Sequence, residues 1–362
     1  MTSSSKRVVV AMSGGVDSSV AAALLLRDGW EAIGVTLSMQ HCEERPATGR
    51  SCCGLEGASR ARAVAGKLGM PHYVVDCHRE FEELVLRPCW NEYAHGRTPN
   101  PCVLCNRHVK FGLLLDFAGR LAASKIATGH YARIEWDRGA PILLRGTDRQ
   151  KDQSYFLFSL DRRQLETALF PLGGMVKTGV RELAQCFGLP NSEFPESQDA
   201  CFAGEEGTFA ETLRQRFGEE ANPGRFVAGD GKSLGRHGGI HRFTVGQRRG
   251  LGLALGKRGW VRAVDAESGD VVVCTEEREL LSDGLVASRV NWHGADTPGG
   301  PFHCAVQVRY RHPPVPALVE PDGPTGARVR FERPVKAVTP GQAAVFYDGD
   351  RLLGGGWIEN SF

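Results

Sequence analysis

Two cysteines in the segment GRTPNPCVLCNRHVKF have the spacing of a reactive pair. Cys102 and Cys105 form a C-x-x-C motif, and the prolines ahead of it favour a non-helical entry. In a long chain without a secretory signal, such a pair is typically redox-active, metal-binding or catalytic. The basic residues that follow it favour the thiolate, which is the nucleophilic form of cysteine. The alternative interpretation is a pair of structural thiols at the start of a helix.

A third cysteine, Cys201, lies in the segment PESQDACFAG, between acidic and small residues. We expect a loop here, and the local pattern alone indicates an inert thiol. The chain has 11 cysteines, and its N-terminus lacks the apolar region of a signal peptide. We therefore expect the thiols of a cytoplasmic protein rather than a disulfide framework. No apolar run is long enough to predict a membrane span.

The stretch from Arg7 to Leu26, RVVVAMSGGVDSSVAAALLL, predicts a buried strand, a turn of small residues and a helix. This arrangement binds phosphate, because the glycines let backbone N–H groups approach the anion and the helix N-terminus adds positive potential. No lysine follows the glycines, which excludes the GxxxxGK[ST] loop, and there is no GxGxxG. The heptapeptide SGGVDSS, Ser13–Ser19, instead resembles the pyrophosphate loop of enzymes that adenylate an acceptor oxygen and release pyrophosphate. We call Ser13–Ser19 the glycine loop.

Side chains of the glycine loop have candidate roles in that chemistry. The hydroxyl groups of Ser13, Ser18 and Ser19 are expected to contact the leaving pyrophosphate. Asp17 is expected to cap the helix or to help hold Mg²⁺. The alternative is a turn that only joins a strand to a helix, but seven consecutive positions and the flanking elements favour nucleotide binding.

Alternating strands and helices must position these groups. Strand patterns at Ala32–Leu37, His72–Val75 and Lys125–His130 alternate with helix patterns, which predicts an α/β fold with a doubly wound parallel sheet. Ligands bind at the carboxyl ends of the strands in such a fold, and the glycine loop would lie there. Two polar segments, Gly129–Tyr131 and Lys151–Ser154, are also consistent with ordinary turns.

The composition changes in the second half of the chain. The segment from Asn222 to Trp260 is rich in glycine and arginine, which indicates a surface that neutralises a phosphate backbone. The net charge of the chain is only +2, so RNA contact would depend on such local patches. A solvated β-rich linker domain is the alternative for this segment. From Asp270 onward, short strand patterns predict a small antiparallel barrel or sandwich.

Seven segments taken together resemble the tRNA-uridine 2-sulfurtransferases, which thiolate the wobble uridine of certain tRNAs. In chain order they are AMSGGVDSS, GRTPNPCVLCN, ATGHYAR, KDQSYFL, CFAGE, TVGQRRGLG and VTPGQAAVFY. The set spans almost the whole chain and is far more specific than the glycine loop alone. The resemblance implies a doubly wound parallel sheet of the ATP-pyrophosphatase type in residues 1–206. It also implies a small Gly/Arg-rich, β-rich, tRNA-contacting domain in residues 207–268 and a C-terminal antiparallel β-barrel in residues 269–362.

The resemblance also implies a reaction. ATP adenylates the C2 oxygen of the uracil, and sulfur then displaces AMP to give 2-thiouridine. By motif, Cys105 matches the family's nucleophilic cysteine, and Cys201 matches the cysteine that carries a persulfide received from a sulfur-donor protein. The terminal sulfur on Cys201 would attack the activated base, and Cys105 would assist release through a transient disulfide with Cys201. The positions implied to hold ATP are Ala11, Met12, Ser13, Gly14, Gly15, Val16, Asp17, Ser18, Leu37 and Gly129.

Further positions match residues that are associated with tRNA in the family. Asn100, Pro101 and Cys102 would border the target base, which must leave the anticodon stack to be reached. The other positions implied to contact tRNA are His130, Lys151, Asp152, Gln153, Arg309, Tyr310 and Gln342. The expected cofactors are ATP and Mg²⁺. The expected partners are tRNA and a sulfur-donor protein, and the expected state is a monomer.

One position departs from the family's pattern. Cys102 stands where the commoner motif has an aspartate, which puts an acid–base or orienting role of that position in doubt. The exchange adds a third thiol, and thiolates of Cys102, Cys105 and Cys201 would suffice to ligate a 4Fe-4S cluster with one iron open for sulfide. A persulfide route without a cluster is the alternative.

Two other functions remain open from the sequence. Another pyrophosphate-loop ligase, of the amidating or argininosuccinate-synthetase type, would need neither Cys105 nor Cys201. A non-catalytic tRNA-binding protein would bind RNA without exchanging ATP and pyrophosphate.

Overall fold

The computed structural model describes residues 6–39, 55–195, 208–217, 223–294 and 297–362. The chain forms two compact units. The first unit consists of Met1–Val85, Cys102–Glu205 and Asp350–Leu352, and the second of Leu86–Pro101, Glu206–Gly349 and Leu353–Phe362. Among the described helices, none has the length and apolar character needed to cross a membrane.

The regular elements of the described residues follow in chain order. The α-helices are α1 (Val16–Arg27), α2 (Leu55–Leu68), α3 (His78–Phe81), α4 (Arg87–Ala94), α5 (Pro101–Leu104), α6 (Leu114–Arg120), α7 (Arg162–Thr167), α8 (Lys177–Cys186) and α9 (Phe209–Phe217). π-Helical turns occur at Glu82–Leu86 and Cys105–Leu113, and 3-10 turns at Ser154–Leu157, Ile240–Arg242 and Glu277–Leu280. The strands are β1 (Arg7–Ala11), β2 (Glu31–Ser38), β3 (His72–Asp76), β4 (Lys125–Ala127), β5 (Ala132–Asp137), β6 (Ala140–Arg145), β7 (Ala168–Leu169), β8 (Gly224–Val227), β9 (Ser233–His237), β10 (Trp260–Val264), β11 (Val271–Cys274), β12 (Leu281–Trp292), β13 (Phe302–Gln307), β14 (Val315–Asp322), β15 (Gly326–Lys336), β16 (Ala343–Asp348) and β17 (Arg351–Ser361).

A five-stranded parallel sheet, in the order β3-β2-β1-β4-β7, forms the centre of the first unit. β1 pairs in parallel with β2 on one side and with β4 on the other. Its residues Val8, Val9 and Val10 have no exposed surface, as a strand covered on both faces requires. The strand order reverses between β1 and β4, which makes this the point where ligands bind in such folds. The structure confirms the doubly wound α/β fold.

Helices α1, α2 and α8 share one apolar core with the sheet. The alanine- and leucine-rich run of α1 supplies fully buried residues such as Val20 and Ala21, and α8 supplies Val180 and Ala184. α1 ends just before Asp28, and the following Gly29 has a φ of +78°, as the predicted helix stop requires. This packing fixes α8 beside α1, which matters for the site.

An antiparallel hairpin of β5 and β6 follows β4 in the first unit. Its two-residue loop is Arg138-Gly139, and both residues have a positive φ, as a type I′ turn requires. This hairpin is not predicted from the sequence, because Arg-Gly is a weaker turn signal than Asn-Gly or Asp-Gly.

The second unit contains two sheets. The smaller one, β10-β11-β8-β9, packs around an aromatic and aliphatic core that includes Phe226, Phe243 and Val261. The larger one closes into a six-stranded barrel, β12-β15-β14-β13-β16-β17, because β12 also pairs with β17. Alternate residues of its strands fill the interior, among them Val319 and Val329. Of the two C-terminal architectures expected from the sequence, the barrel is the one observed.

Candidate active site

The glycine loop connects β1 to α1 at the carboxyl edge of the parallel sheet. Gly14 has a φ of +77°, and a Cβ atom there would lie 2.3 Å from the carbonyl oxygen of Gly57 in α2. Only glycine therefore fits at this position. Gly15 directly precedes α1, and no described side chain caps the helix start. The first N–H groups of α1 are thus left for an anion.

The hydroxyl groups of the loop form a small network. Ser18 Oγ donates to the Gly15 carbonyl at 3.1 Å, and Ser13 Oγ lies 3.4 Å from Ser18 Oγ. Ser19 Oγ donates to the same carbonyl at 2.9 Å and is completely buried. Ser13 and Ser18 therefore remain candidates for contact with pyrophosphate. Ser19 instead belongs to the internal support of the loop, contrary to the expectation from its hydroxyl.

Two buried side chains hold the carboxylate of Asp17, in the first turn of α1. Lys177, the first residue of α8, places Nζ 2.6 Å from Oδ1 and 2.7 Å from Oδ2. Tyr131 donates its hydroxyl group to Oδ1 at 2.8 Å. The side chain of Asp17 is 33% exposed and that of Lys177 only 10%, so the pair is open to solvent on the carboxylate side. α8 thus supplies the cation that the glycine loop lacks in its own sequence.

The turn that follows β4 packs against the start of α1. A Cβ atom at Gly129 would lie 2.8 Å from the carbonyl carbon of Asp17 and from the nitrogen of Ser18, so glycine permits this close approach. His130 is buried, and its Nδ1 lies 2.6 Å from the hydroxyl oxygen of Thr128. Burial, reinforced by the Lys110 ammonium, holds the pKa of His130 well below its usual value. The ring is therefore neutral at pH 7.

Asp152 and Gln153 have their side chains engaged within the first unit. The buried carboxylate of Asp152 accepts hydrogen bonds from the N–H of Gly146 at 2.9 Å and from the N–H of Ser154 at 3.1 Å. Gln153 Oε1 accepts from the N–H of Tyr131 at 3.1 Å. These two side chains organise the polar turn and connect it to the turn after β4. The neighbouring Lys151 is partly exposed.

The C-x-x-C pair lies where α5 passes into a π-helical turn, a feature that is frequent at functional sites. Cys102 is exposed, whereas Cys105 is only 8% exposed. Burial raises the pKa of the Cys105 thiol to about 11, although the Lys110 ammonium opposes the shift. Arg107 directs its guanidinium to the Ser159 carbonyl at 2.8 Å instead. The expectation that basic neighbours favour the Cys105 thiolate is therefore wrong for this structure.

A further cysteine, Cys77, follows β3 and is not part of the sequence motifs. Its thiol donates to the carbonyl of Ser38, at the end of β2, at 3.4 Å. Burial, followed by the electrostatic influence of Cys105, raises the pKa of the Cys77 thiol to about 12. The π-helical turn that begins at Cys105 packs against α3, which directly follows β3. Cys105 therefore belongs to a segment at the carboxyl end of β3, on the same edge of the sheet as the glycine loop. Leu37, also on β2, is 7% exposed near this edge.

Other predicted tRNA positions belong to the second unit. Gln342 donates through Nε2 to the carbonyls of Thr98 at 3.1 Å and Pro99 at 3.0 Å. It thereby fixes the backbone just before Asn100, which is buried. Arg309 is exposed and Tyr310 is partly exposed. The guanidinium of Arg311 lies 5.5 Å from the centre of the Tyr310 ring.

The glycine- and arginine-rich segment of the second unit forms a cavity of about 630 Å³. Arg248, Lys257 and Arg258 line it, together with the turn Gly250–Leu255, and these three cations are exposed. Leucines of the turn pack on the core of the small sheet, so the basic side chains are left at the surface. This arrangement has the charge that a phosphate backbone requires.

Some predicted features lie outside the described residues. Cys201 is one of them, so its pairing with Cys105 stays a prediction. Within the ranges that the structure describes, no group of three or more His, Cys, Asp or Glu side chains is arranged to hold a metal ion. The proposed third ligand of a cluster is Cys201 itself, and the cluster hypothesis therefore also stays a prediction.

Sequence reasoning missed two side chains that hold the glycine loop. Lys177 pairs with Asp17, and Asn191 donates through Nδ2 to the Gly14 carbonyl and to Ser19 Oγ, both at 2.9 Å. Neither residue belongs to a motif or lies near the loop in sequence. A weak signal exists for Asn191, because the preceding Gly-Leu-Pro marks the end of a helix.

Three family models match the chain in succession. The model described as tRNA methyl transferase HUP domain matches residues 6–205. The tRNA methyl transferase PRC-barrel domain matches residues 210–275, and the aminomethyltransferase beta-barrel domain matches residues 282–358. The matches run through nearly the whole chain, although two of the descriptions name methyl transfer to tRNA.

Relatives matched over almost their whole length carry a different name. The tRNA-specific 2-thiouridylase MnmA of Geotalea uraniireducens is 48% identical, over 98% of this chain and 96% of the relative. The proteins of the same name from Geobacter metallireducens and Carboxydothermus hydrogenoformans are 49% and 46% identical. These matches cover 98% of this chain in both cases, and 97% and 98% of the relatives. The chain belongs to the tRNA-specific 2-thiouridylase family.

Membership of the thiouridylase family confirms the resemblance seen in the sequence motifs. The name of these relatives refers to thiolation, whereas two of the family-model descriptions refer to methyl transfer. A solved structure titled as a 4-thiouridine synthetase–RNA complex with bound ATP is 18% identical, with a TM-score of 0.36 over 58% of this chain and 50% of that one. A similarity this weak supports no conclusion about the present chain.

Proposed function

We propose that the chain catalyses the ATP-dependent 2-thiolation of the wobble uridine of tRNA. It adenylates the C2 oxygen of the uracil, and sulfur from a cysteine persulfide then displaces AMP, which leaves 2-thiouridine, AMP and pyrophosphate. One observation carries the proposal: the glycine loop follows β1, and the segment that begins at Cys105 packs against α3, which follows β3 at the same edge of the parallel sheet. The family relationship supplies the reaction class.

The adenylation half of the reaction belongs to the glycine loop. Uncapped N–H groups at the start of α1 bind the leaving pyrophosphate, and the helix dipole stabilises its charge. Lys177 neutralises Asp17, so that a triphosphate meets an ion pair rather than an isolated carboxylate. Asp17 is the more exposed partner of that pair, and its carboxylate has the donor chemistry that Mg²⁺ prefers.

The sulfur-transfer half belongs to two cysteines. Cys201 accepts sulfur from a donor protein as a persulfide, and the terminal sulfur forms a bond to C2 of the base as AMP departs. The Cys105 thiolate then attacks Sγ of Cys201, the sulfur–sulfur bond breaks, and 2-thiouridine leaves with the electron pair. The resulting Cys105–Cys201 disulfide is reduced by a thiol before the next cycle. Burial keeps Cys105 a neutral thiol in the free protein, so this step requires its deprotonation once the complex has formed.

A cluster-bound sulfide is the second candidate for the sulfur source, and Cys102 is the observation that favours it. Cys102 and Cys105 offer two thiols in a C-x-x-C spacing, and Cys201 would be the third ligand. The thiol donor set fits a 4Fe-4S cluster, which would supply sulfide at its open iron. Iron analysis and visible absorbance after anaerobic purification test this candidate, and a colourless, iron-free and fully active protein rules it out.

RNA contact is assigned to both compact units. His130, Lys151, Asp152 and Gln153 belong to the first, and Asn100 and Pro101 border the flipped base beside Cys102. Arg309, Tyr310, Gln342 and the basic cavity of the second unit supply further contacts.

We assign catalysis to residues 1–206, tRNA contact to residues 207–268 and the barrel to residues 269–362. The enzyme acts as a cytoplasmic monomer.

The direct test is to incubate the purified protein with unmodified tRNA, ATP, Mg²⁺ and a sulfide source. Nucleoside mass spectrometry is expected to show 2-thiouridine that depends on ATP. Cys105→Ser and Cys201→Ser should abolish it, whereas Cys186→Ser, at the exposed end of α8, should not. Activity that survives both active-site substitutions would favour another ligase. Binding of tRNA without ATP–pyrophosphate exchange would favour a non-catalytic protein.

A further inference from the structure

Asn191 reaches the glycine loop from a turn that lies far away in sequence. Its side-chain amide donates to the Gly14 carbonyl at 2.9 Å and to Ser19 Oγ at 2.9 Å, and the residue is only 1% exposed. Both acceptors belong to the glycine loop, which is expected to hold pyrophosphate. Asn191 itself lies on the buried side of the loop, where no nucleotide group would meet it.

The way in which α8 ends places Asn191 beside the glycine loop. Gly188 has a φ of +60°, its N–H bonds the Gln185 carbonyl at 2.8 Å, and the N–H of Leu189 bonds the Ala184 carbonyl at 3.0 Å. These two bonds form a Schellman motif, which ends the helix and turns the chain back onto its own core. Leu189 is 2% exposed within the α/β core, so the next turn is held against α1.

The bond to Gly14 determines the orientation of one peptide group. The described peptide bonds are trans, and in a trans peptide the C=O and the following N–H point in opposite directions. Holding the Gly14 carbonyl toward the buried Asn191 therefore directs the Gly15 N–H away from it, toward the open side of the loop. Gly14 has no Cβ atom and a positive φ, so without this bond its peptide group would be free to rotate.

Hydrogen-bond lengths differ between the two sides of the loop. On the open side, the Gly15 N–H contacts Ser13 Oγ at 3.4 Å, and the Ser13 N–H contacts Ser18 Oγ at 3.3 Å. On the buried side, both bonds from Asn191 are 2.9 Å long. The long contacts are easily exchanged for those of an anion, whereas the short ones hold the loop in place while the exchange occurs.

The other polar atom of the Asn191 side chain, Oδ1, makes this arrangement less stable. Its Oδ1 is buried and finds no hydrogen-bond partner among the described residues. An unsatisfied buried acceptor is unfavourable, so stability alone would prefer an apolar side chain here. The two donated bonds are the visible reason for an amide at this position.

We propose that Asn191 is a positioning residue for pyrophosphate: it orients the Gly14–Gly15 peptide so that the Gly15 N–H faces the anion. The proposal rests on the assignment of the glycine loop to pyrophosphate under the proposed function. Asn191 does not touch the nucleotide, and it acts only through the loop backbone. Its loss should therefore weaken binding of the pyrophosphate part of the nucleotide and spare the adenosine part.

The test compares magnesium pyrophosphate and AMP as separate probes in titration calorimetry of the full chain. Asn191→Leu keeps the approximate volume and removes both donors, and Asn191→Ser serves if the leucine variant does not fold. Loss of one oriented donor to a charged group predicts a pyrophosphate Kd raised about tenfold, with the AMP Kd unchanged. Asp161→Ala, which removes the capping box of α7, is the control for a general loss of stability.

Two outcomes overturn the proposal. The first is an unchanged pyrophosphate Kd in a folded Asn191 variant. The second is a parallel loss of pyrophosphate and AMP binding, which indicates a structural role only. Failure of the wild-type protein to bind pyrophosphate at all would instead contradict the proposed function, so the two failures are distinguishable.

Discussion

The glycine loop and the Cys102–Cys105 segment lie at one edge of the same sheet, but their side chains are not equally organised for catalysis. Side chains from α8 and from the turns after it and after β4 already hold the loop through short hydrogen bonds. Cys105, in contrast, is a buried neutral thiol with a raised pKa, and Cys102 is exposed beside it. Under the proposed function, we therefore expect the nucleotide half to be assembled in the free enzyme and the sulfur half to be completed only when its partners bind.

The largest effect is expected from a substitution that removes sulfur transfer and leaves adenylation intact. Cys105→Ser should lower 2-thiouridine formation by at least about a thousandfold, because a nucleophile is removed. ATP–pyrophosphate exchange in the presence of tRNA should persist, since the glycine loop is unaltered. Mass spectrometry and radiolabelled pyrophosphate measure the two activities, with Cys186→Ser as the control. Equal loss of both activities would show that the halves are not independent.

The pH dependence should differ between the same two activities. The pKa of Cys105 is about 11, above its usual value, so the thiol is protonated at pH 7. Below that pKa the thiolate fraction grows with pH, and the single-turnover sulfur-transfer rate should rise roughly tenfold per unit from pH 7 to 9. Adenylation should not follow this slope. A flat transfer profile, together with a fast and pH-independent reaction of Cys105 with an alkylating reagent in the free enzyme, would show that the thiolate exists before any partner binds. The proposed difference between the two halves would then be wrong.

A smaller effect is expected inside the nucleotide half. Lys177→Met leaves the Asp17 carboxylate with the Tyr131 hydroxyl alone, facing a triphosphate. The KM for ATP should rise about tenfold, less than for a fully buried pair because Asp17 is partly exposed. In a double-mutant cycle, Asp17→Asn should recover part of the loss, since no uncompensated carboxylate remains. Additive losses would mean that the lysine acts on the nucleotide independently of Asp17.

The smallest effect concerns an element that carries none of the site residues. Asp161 forms a capping box with Gln164 at the start of α7. Asp161→Ala should cost about 1 kcal/mol of unfolding free energy and leave both activities unchanged. Urea denaturation followed by the two assays checks this. Altered catalysis in this variant would show that stability and activity cannot be separated in the other comparisons.

The features of this chain that can be predicted from its sequence are those with a local signal. The apolar run of β1, the small residues of the glycine loop and the Asp28-Gly29 stop of α1 are adjacent in the chain, and each has its own conformational preference. The alternation of strands and helices similarly predicts the parallel sheet. The hairpin of β5 and β6 is missed, because its turn residues carry only a weak signal.

The role of a site residue is predicted incorrectly where burial, or contact with residues distant in sequence, determines that role. The basic neighbours of Cys105 favour a thiolate by composition, yet burial of the thiol outweighs the Lys110 charge. Ser19 has the hydroxyl group of a phosphate ligand, yet it is completely buried against Asn191. Such outcomes depend on which surfaces are removed from water, and residue order does not express that.

By itself the sequence determined that a strand, a turn of small residues and a helix open the chain, and that a C-x-x-C pair follows. Short-range conformational preferences and spacing suffice for those features. Only the tertiary structure decided that Lys177 pairs with Asp17, that Asn191 donates a hydrogen bond to the Gly14 carbonyl, and that Cys105 is a buried neutral thiol. The physical reason is that charge pairing, hydrogen bonding and desolvation act between groups that are near in space, and folding of the α/β core is what brings them together.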